Sequence, residues 1–362
     1  MHSAARAEYS AALFALFAAL PAACANAVDD ADDSRESLAV GGQAVIEGIM
    51  MRNGGTVSVA VRTGSGGIIA LTGPWRSCFN SGLARKRWLR GFPLLVDTLV
   101  NGIRALNLSA ALAAEAEGER LENRHLVLAL FGAVGFALML FVVLPHLLTL
   151  GLNALSLSGE VEDLSFHLWD GLLKFIMFIG YIACISCVPD IRRVFEYHGA
   201  EHKTIAAYEH GENPVTAGAA AAFSRLHPRC GTTFLLFVLS LSILLHAALV
   251  PALLSLWTPE SALIKHTVII VFKLLLMAPI SALAYEAIRA SADIRSFLPG
   301  LLARGPGMLL QLLTTREPDY RELEVALVAL KEALGDTADA VITTPPYERR
   351  NLNDSALMHG GT

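Results

Sequence analysis

The sequence predicts a predominantly α-helical, polytopic membrane protein. It would have about four transmembrane helices, a small antiparallel β element near the N-terminus and cytoplasmic helices. Three observations predict this class. First, 54% of the 362 residues are hydrophobic and 17% charged, where soluble domains carry roughly a quarter charged residues; the mean hydropathy is +0.51. Second, the apolar residues are gathered into blocks long enough to cross a bilayer. Residues 126–150 and 233–257 carry no Lys, Arg, Asp or Glu, residues 265–288 contain Lys265 at the edge with Lys273 and Glu286, and the shorter 172–188 contains Lys174. Third, positive charge alternates from one flank to the next. Arg85, Lys86, Arg87, Arg90, Arg104, Arg120 and Arg124 precede the first block. Glu160, Glu162 and Asp163 follow it, and Arg192, Arg193, Lys203, Arg225 and Arg229 lie between the second and third. The positive-inside rule then puts both termini and the 189–232 loop in the cytoplasm of a bacterial inner-membrane protein. A net charge of −5 argues against general nucleic-acid binding.

The elements follow in order. Residues 1–27 combine Arg6, an apolar run and Ala25-Asn26-Ala27, the pattern of a secretory signal. Cleavage there would export the seven positive charges named above before the first block, so an uncleaved arm or a downstream start fits the charge asymmetry better. Residues 28–37 are acidic and read as a disordered lead-in. Residues 44–51, 56–62 and 67–72, rich in Val, Ile and Gly, read as three strands joined by Gly-rich turns. The basic, aromatic stretch 73–90, with Trp75 and Trp88, suits the membrane interface. Residues 91–117 read as an apolar helix with a narrow polar stripe of Asp97, Asn101 and Arg104. Beyond the last span, 297–307 reads as a Gly/Pro turn region and 317–334 as an amphipathic helix with Pro318 in its first turn. The 338–362 tail reads as disordered. The divisions are 1–37, 38–75, 76–124, 125–290 with its loop 189–232, 291–336 and 337–362. Five cysteines form no disulfide framework, and Cys184 and Cys187 read as small apolar residues on a helix.

The chemistry is concentrated in the 189–232 loop. A helical pattern runs from Asp190 to about His210 with an apolar stripe of Ile191, Val194, Phe195 and Ile205. His198, Glu201 and His202 continue that stripe, whereas Arg192, Arg193, Glu196 and Lys203 lie elsewhere. This is an H-x-x-E-H arrangement, in which two imidazoles one turn apart can hold a metal and the carboxylate can take a proton from water. Buried imidazoles need partners, and a metal would supply one to both. A second cluster, His227-Pro228-Arg229-Cys230, offers two more zinc ligands at a turn. His198, His202 and His227 with an open fourth position would read as catalytic, and adding Cys230 would close the site as structural. Glu286 and Glu47 are further candidate ligands or acids. Arg225 and Arg229 could hold an anionic group, or simply anchor the loop at the membrane. Glu209 reads as a surface or supporting residue, and His146 and His246 as interfacial. Lys273 would reach the outer interface.

Four stretches together resemble the YqhQ-like family, a domain of unknown function designated DUF1385. They are Gly41-Gly42-Gln43-Ala44-Val45-Ile46-Glu47-Gly48, Glu196-Tyr197-His198-Gly199-Ala200-Glu201-His202-Lys203, Ser224-Arg225-Leu226-His227-Pro228-Arg229-Cys230-Gly231 and Leu313-Thr314-Thr315-Arg316-Glu317-Pro318. The resemblance spans about residues 38–333. It implies a bacterial membrane protein of a kind described as metal-dependent enzymes, a description that rests on these same His and Glu residues. The expected function is a zinc-dependent hydrolase at the cytoplasmic membrane surface, with Glu201 as general base. The rival is a metal-stapled scaffold that docks a cytoplasmic protein partner. A transporter ranks third, because Lys273 is the one strong polar candidate within the expected spans.

Overall fold

The computed structural model describes residues 40–75, 77, 89–116, 123–228, 230–292, 297–335 and 341–352. The signal-like segment, the acidic lead-in, most of the basic interfacial stretch and Arg229 lie outside the described residues.

Four strands form an antiparallel meander: β1 (Gly41–Val45), β2 (Gly48–Asn53), β3 (Thr56–Arg62) and β4 (Ile68–Pro74). The expected strand 44–51 is therefore two strands. The chain reverses at Ile46-Glu47, between paired Val45 and Gly48, with Glu47 at a positive φ of 52°. Alternation along β3 sends Val57, Val59 and Val61 to one face and Ser58 and Ala60 to the other. Helix α1 (Gly91–Ala116) covers the first face through Ala105, Leu108 and Leu112. Its Asp97 and Asn101 are buried; Asp97 accepts from Ser77 at 2.6 Å, and Asn101 donates to the Asp97 carbonyl at 2.8 Å.

Among the described residues, four helical stretches are long and apolar enough to cross a membrane: Phe131–Ala154, Leu164–Ile185, Gly231–Leu256 and Ala262–Ala290. The first consists of α2 (Asn123–Leu138), a π-helical turn at Met139–Val143 and α3 (Leu144–Ala154). The second is α4 (Leu164–Ile185). It starts eight residues earlier than the apolar block at 172 and so takes in Asp170. Asp170 accepts from Lys174 at 2.6 Å and from Lys273 at 2.8 Å. Lys273 thus pairs inside the bundle instead of reaching the outer interface. His146 and His246, read as interfacial, are buried within the protein, at 1% and 5% exposure.

Helix α5 (Pro189–Glu209) follows the second span, with Pro189 in its first turn, where a missing N–H costs nothing. A short α6 (Ala217–Ala221) leads to the third span, α7 (Gly231–Leu256). The fourth comprises α8 (Ala262–Leu275) and α9 (Met277–Ala292). The expected turn region 297–307 is instead the start of α10 (Phe297–Thr314), which continues through Pro306. Helix α11 (Tyr320–Leu334) begins with a capping box between Asp319 and Glu322. Pro318 therefore precedes the cap and is not in the first turn. Leu323, Leu327 and Leu330 of α11 are buried with Ile49, Met51, Ala60 and Tyr197. Each such leucine contributes about 1.5–3 kcal/mol. The sheet thus lies between α1 and the α5–α11 layer, at the end of the spans where the first and third begin and the second and fourth finish.

The tail is not disordered throughout. Val215 bridges Ile342, and β5 (Glu348–Asn351) pairs parallel to β4. Its side chains are exposed, so no apolar alternation marks it. The tail is docked by apolar burial of Ile342 and Leu352 and by a polar contact: Glu332 of α11, 2% exposed, accepts from Thr72 and Tyr347 at 2.6 Å each and from Arg349 at 2.8 Å. Residues 353–362 lie outside the described residues.

Candidate metal centre

Helical spacing puts His198, Glu201 and His202 on one face of α5. That face looks inward: Glu201 is 5% exposed and His202 2%. His198 Nδ1 lies 2.8 Å from the Thr314 carbonyl oxygen, and His202 Nδ1 lies 2.6 Å from that of Arg225. A carbonyl only accepts, so both Nδ1 atoms carry the proton and both Nε2 atoms are left as acceptors. This is how protein imidazoles are oriented as ligands, with the outer nitrogen fixed by a backbone oxygen. The rings stand 4.4 Å apart between centroids.

Cys230 completes the cluster. It caps the N-terminus of α7, and its sulfur accepts from the Thr232 amide. Its Sγ lies 3.2 Å from His198 Nε2. One ligand atom each from His198, His202 and Cys230 lie within 4.8 Å of one another. The protonation states are set by burial. Burial, reinforced by His198, lowers His202 to about 3 and keeps it neutral. Burial raises the Cys230 thiol against the opposing hydrogen bonds from Thr232. Two imidazoles with their Nδ1 atoms committed to carbonyls and a buried thiol fit a divalent metal, which would displace the thiol proton and compensate the buried sulfur charge.

Glu201 sits beside this group. Burial raises its carboxyl to about 7, against the pull of His198 and a hydrogen bond from the Gly42 amide. Its Oε2 is buried without a hydrogen-bond partner. A carboxylate in this state exchanges a proton near neutrality, the property a general base needs.

The remaining expected residues are placed as follows. Of the two further ligands offered by the His-Pro-Arg-Cys turn, the structure brings Cys230 and not His227 to the imidazole pair. His227 Nε2 faces Glu209 Oε2 at 3.5 Å, and its ring centroid lies 5.6 Å from that of His202. Glu209 is therefore a partner of His227. Glu286 pairs with Arg90 at 2.7 Å and Glu47 with Arg193 at 2.5 Å, and neither joins the cluster. Arg225 Nη1 donates to the Thr315 carbonyl and hydroxyl, with Glu317 at 4.0 Å from Nε, so its guanidinium braces the loop. Lys203, expected among the exposed charges, is buried, donating to the Ala221 carbonyl and pairing with Glu317.

Sequence reasoning missed Gln311. This fully buried side chain in α10 accepts from the His227 amide at 2.8 Å and donates to the His227 carbonyl at 2.9 Å. It clamps the turn that delivers Cys230. It also missed what the glycines do. A Cβ on Gly199 would overlap the Arg316 carbonyl oxygen, and one on Gly42 would stand 2.9 Å from Glu201 Cδ. The close approach of two distant segments, β1 and 313–318, to α5 is the reason for glycine at these two positions.

The family described as a protein of unknown function (DUF1385) matches residues 87–336 of the chain. The chain is similar to the uncharacterized protein YqhQ of Bacillus subtilis (strain 168). The two are 32% identical over 310 residues, covering 82% of this chain and 92% of the relative. No solved structure matches it.

Proposed function

The chain belongs to the DUF1385 family, and from that premise we propose that it is a zinc-dependent hydrolase working at the cytoplasmic face of a bacterial inner membrane. The observation that carries this reading is the pair of imidazoles whose Nδ1 atoms are tied to Thr314 and Arg225, with His198 Nε2 at 3.2 Å from Cys230 Sγ and one ligand atom of each of the three residues within 4.8 Å of the others. His198, His202 and Cys230 would hold the metal, a three-residue set that leaves a fourth position for water or substrate. Zinc would supply Lewis acidity there. Glu201, with an unpartnered oxygen, would take the proton from the attacking water and return it to the leaving group. Lys and Arg placement supports a cytoplasmic site with four spans and both termini on that side.

The test is metal analysis of detergent-purified protein. Wild type is expected to carry one zinc per chain, and His198→Ala, His202→Ala and Cys230→Ser to lose it. Glu201→Gln is expected to retain the metal. A wild-type protein without stoichiometric metal overturns the reading. Loss of zinc from Glu201→Gln would instead make the carboxylate a fourth ligand, which is the closed site of a metal-stapled scaffold.

A further inference from the structure

A second polar centre lies inside the span bundle, on elements that the candidate metal site does not use. Asp170 and Lys174 of α4 and Lys273 of α8 are buried to 5% exposure or less. Both ammoniums donate to the same oxygen, Asp170 Oδ2, at 2.6 and 2.8 Å. From the loop end of their spans, six residues of helix reach Asp170 and eleven reach Lys273, a depth of about 9–17 Å. Ionisable groups at such depth are costly and mark a ligand or ion site more often than a structural one.

The charges do not balance. Asp170 supplies one negative charge to two lysines, and each ammonium has three donors but gives one to that carboxylate. The two lysines also face open space. A cavity of about 180 Å³ is lined by Lys174, Lys273, Ser242 and His246 at its polar side. Phe141 and Val142, from the π-helical turn, form part of its apolar wall. Such turns widen a helix locally and recur at functional sites. Leu235, Leu274 and Met277 also line the cavity, and each is more than a third exposed on the outside of the bundle. The cavity therefore lies open on the face that the bilayer would cover.

We propose that this cavity binds a membrane amphiphile with an anionic oxyacid head, a carboxylate or phosphate. The head would sit against Lys174 and Lys273, and the apolar tail would leave past Leu235, Leu274 and Met277 into the lipid. An oxyanion completes the charge balance of the two lysines and uses their remaining donors, which neither a neutral lipid nor a cation does. The inference stands apart from the metal site, because none of His198, Glu201, His202 or Cys230 borders the cavity.

The test uses the full chain in phosphatidylcholine nanodiscs, titrated with radiolabelled palmitate and with hexadecyl phosphate. Saturable binding of one molecule per chain is expected for one or both, with none for hexadecanol. Acetate and inorganic phosphate at equal concentration are expected not to compete. Lys273→Met should weaken binding tenfold or more. Leu239→Trp, which fills the cavity and leaves every charge in place, should abolish it, and it decides the matter if Lys273→Met does not fold. Equal binding of hexadecanol, competition by the tail-less anions, or undiminished binding in Leu239→Trp would each overturn the proposal.

Discussion

The amide of Gly42 in β1 donates to the carboxylate of Glu201 in α5, and the glycine leaves no room for a side chain between them. A Cβ there would stand 2.7 Å from the Met50 carbonyl oxygen and 2.9 Å from Glu201 Cδ and Oε1. The β element is thus the wall against which the buried acid is held. Gly42→Ala forces either the strand or the carboxylate to move. Overpacking of this kind costs about 1–3 kcal/mol. Thermal unfolding is expected to show that loss, and combining the change with the shorter Glu201→Ala should relieve the part due to the carboxylate while the Met50 carbonyl clash remains. No loss in the single variant would mean that there is room beside Gly42 for a side chain.

Gln311 reaches both backbone groups of His227 and fixes the turn before Cys230. Gln311→Leu keeps the volume but removes two side-chain hydrogen bonds from the turn, at about 0.5–1.5 kcal/mol each, and leaves the His227 carbonyl with the Cys230 amide at 3.3 Å. The proposed site should then lose metal affinity by about tenfold or more, as for other residues that hold a ligand from behind. Competition with a zinc chelator measures it. An unchanged affinity together with lowered stability would restrict Gln311 to folding.

How much of this was legible in the sequence depends on range. The four spans and α5 follow from local apolar patterning, and the meeting of His198 with His202 follows from helical spacing alone. His227 and Cys230 are three apart across a turn. Spacing cannot tell which faces inward; the start of α7 decides, by making Cys230 its cap. Asp170 escaped because it interrupts an apolar block, and only Lys273, 103 residues away, explains its burial. The charged β5 strand escaped because it is held by backbone pairing and by Glu332, neither of which leaves a periodic trace.

Docking of the tail is expected to depend on pH through Glu332. Burial pushes its carboxyl up, but hydrogen bonds from Arg349, Thr72 and Tyr347 outweigh this and hold it below the ordinary carboxylate range. A carboxyl lowered by folding stabilises the folded form above its unfolded pKa, and that stabilisation is lost as the pH falls through the lower, folded value. Hydrogen-exchange protection of residues 348–351, corrected for intrinsic rates, should therefore be constant near neutrality and decline below about pH 4.5. Glu332→Gln should weaken protection at neutral pH and remove the acid step. Protection that is lost on raising the pH, or an acid step that survives in Glu332→Gln, would contradict the assignment.

Gly199 tests whether the imidazoles are oriented from behind. Arg316 donates its amide to the Phe195 carbonyl at 2.8 Å, and its own carbonyl oxygen occupies the space where a Cβ on Gly199 would go. Gly199→Ala must push the 313–318 segment away from α5, and with it the Thr314 carbonyl that holds His198 Nδ1. Alanine is the better helix former, so an effect confined to α5 would be stabilising by about 0.5–1 kcal/mol. The expectation is the reverse: lower stability and weaker zinc binding, with the helix content from circular dichroism unchanged. Cobalt substitution gives the sharpest readout, because its absorption between cysteine sulfur and metal reports ligand geometry directly. A Gly199→Ala protein with the wild-type cobalt spectrum and raised stability would show that the segment does not press on the helix, and that the His198 ring is oriented by something other than Thr314.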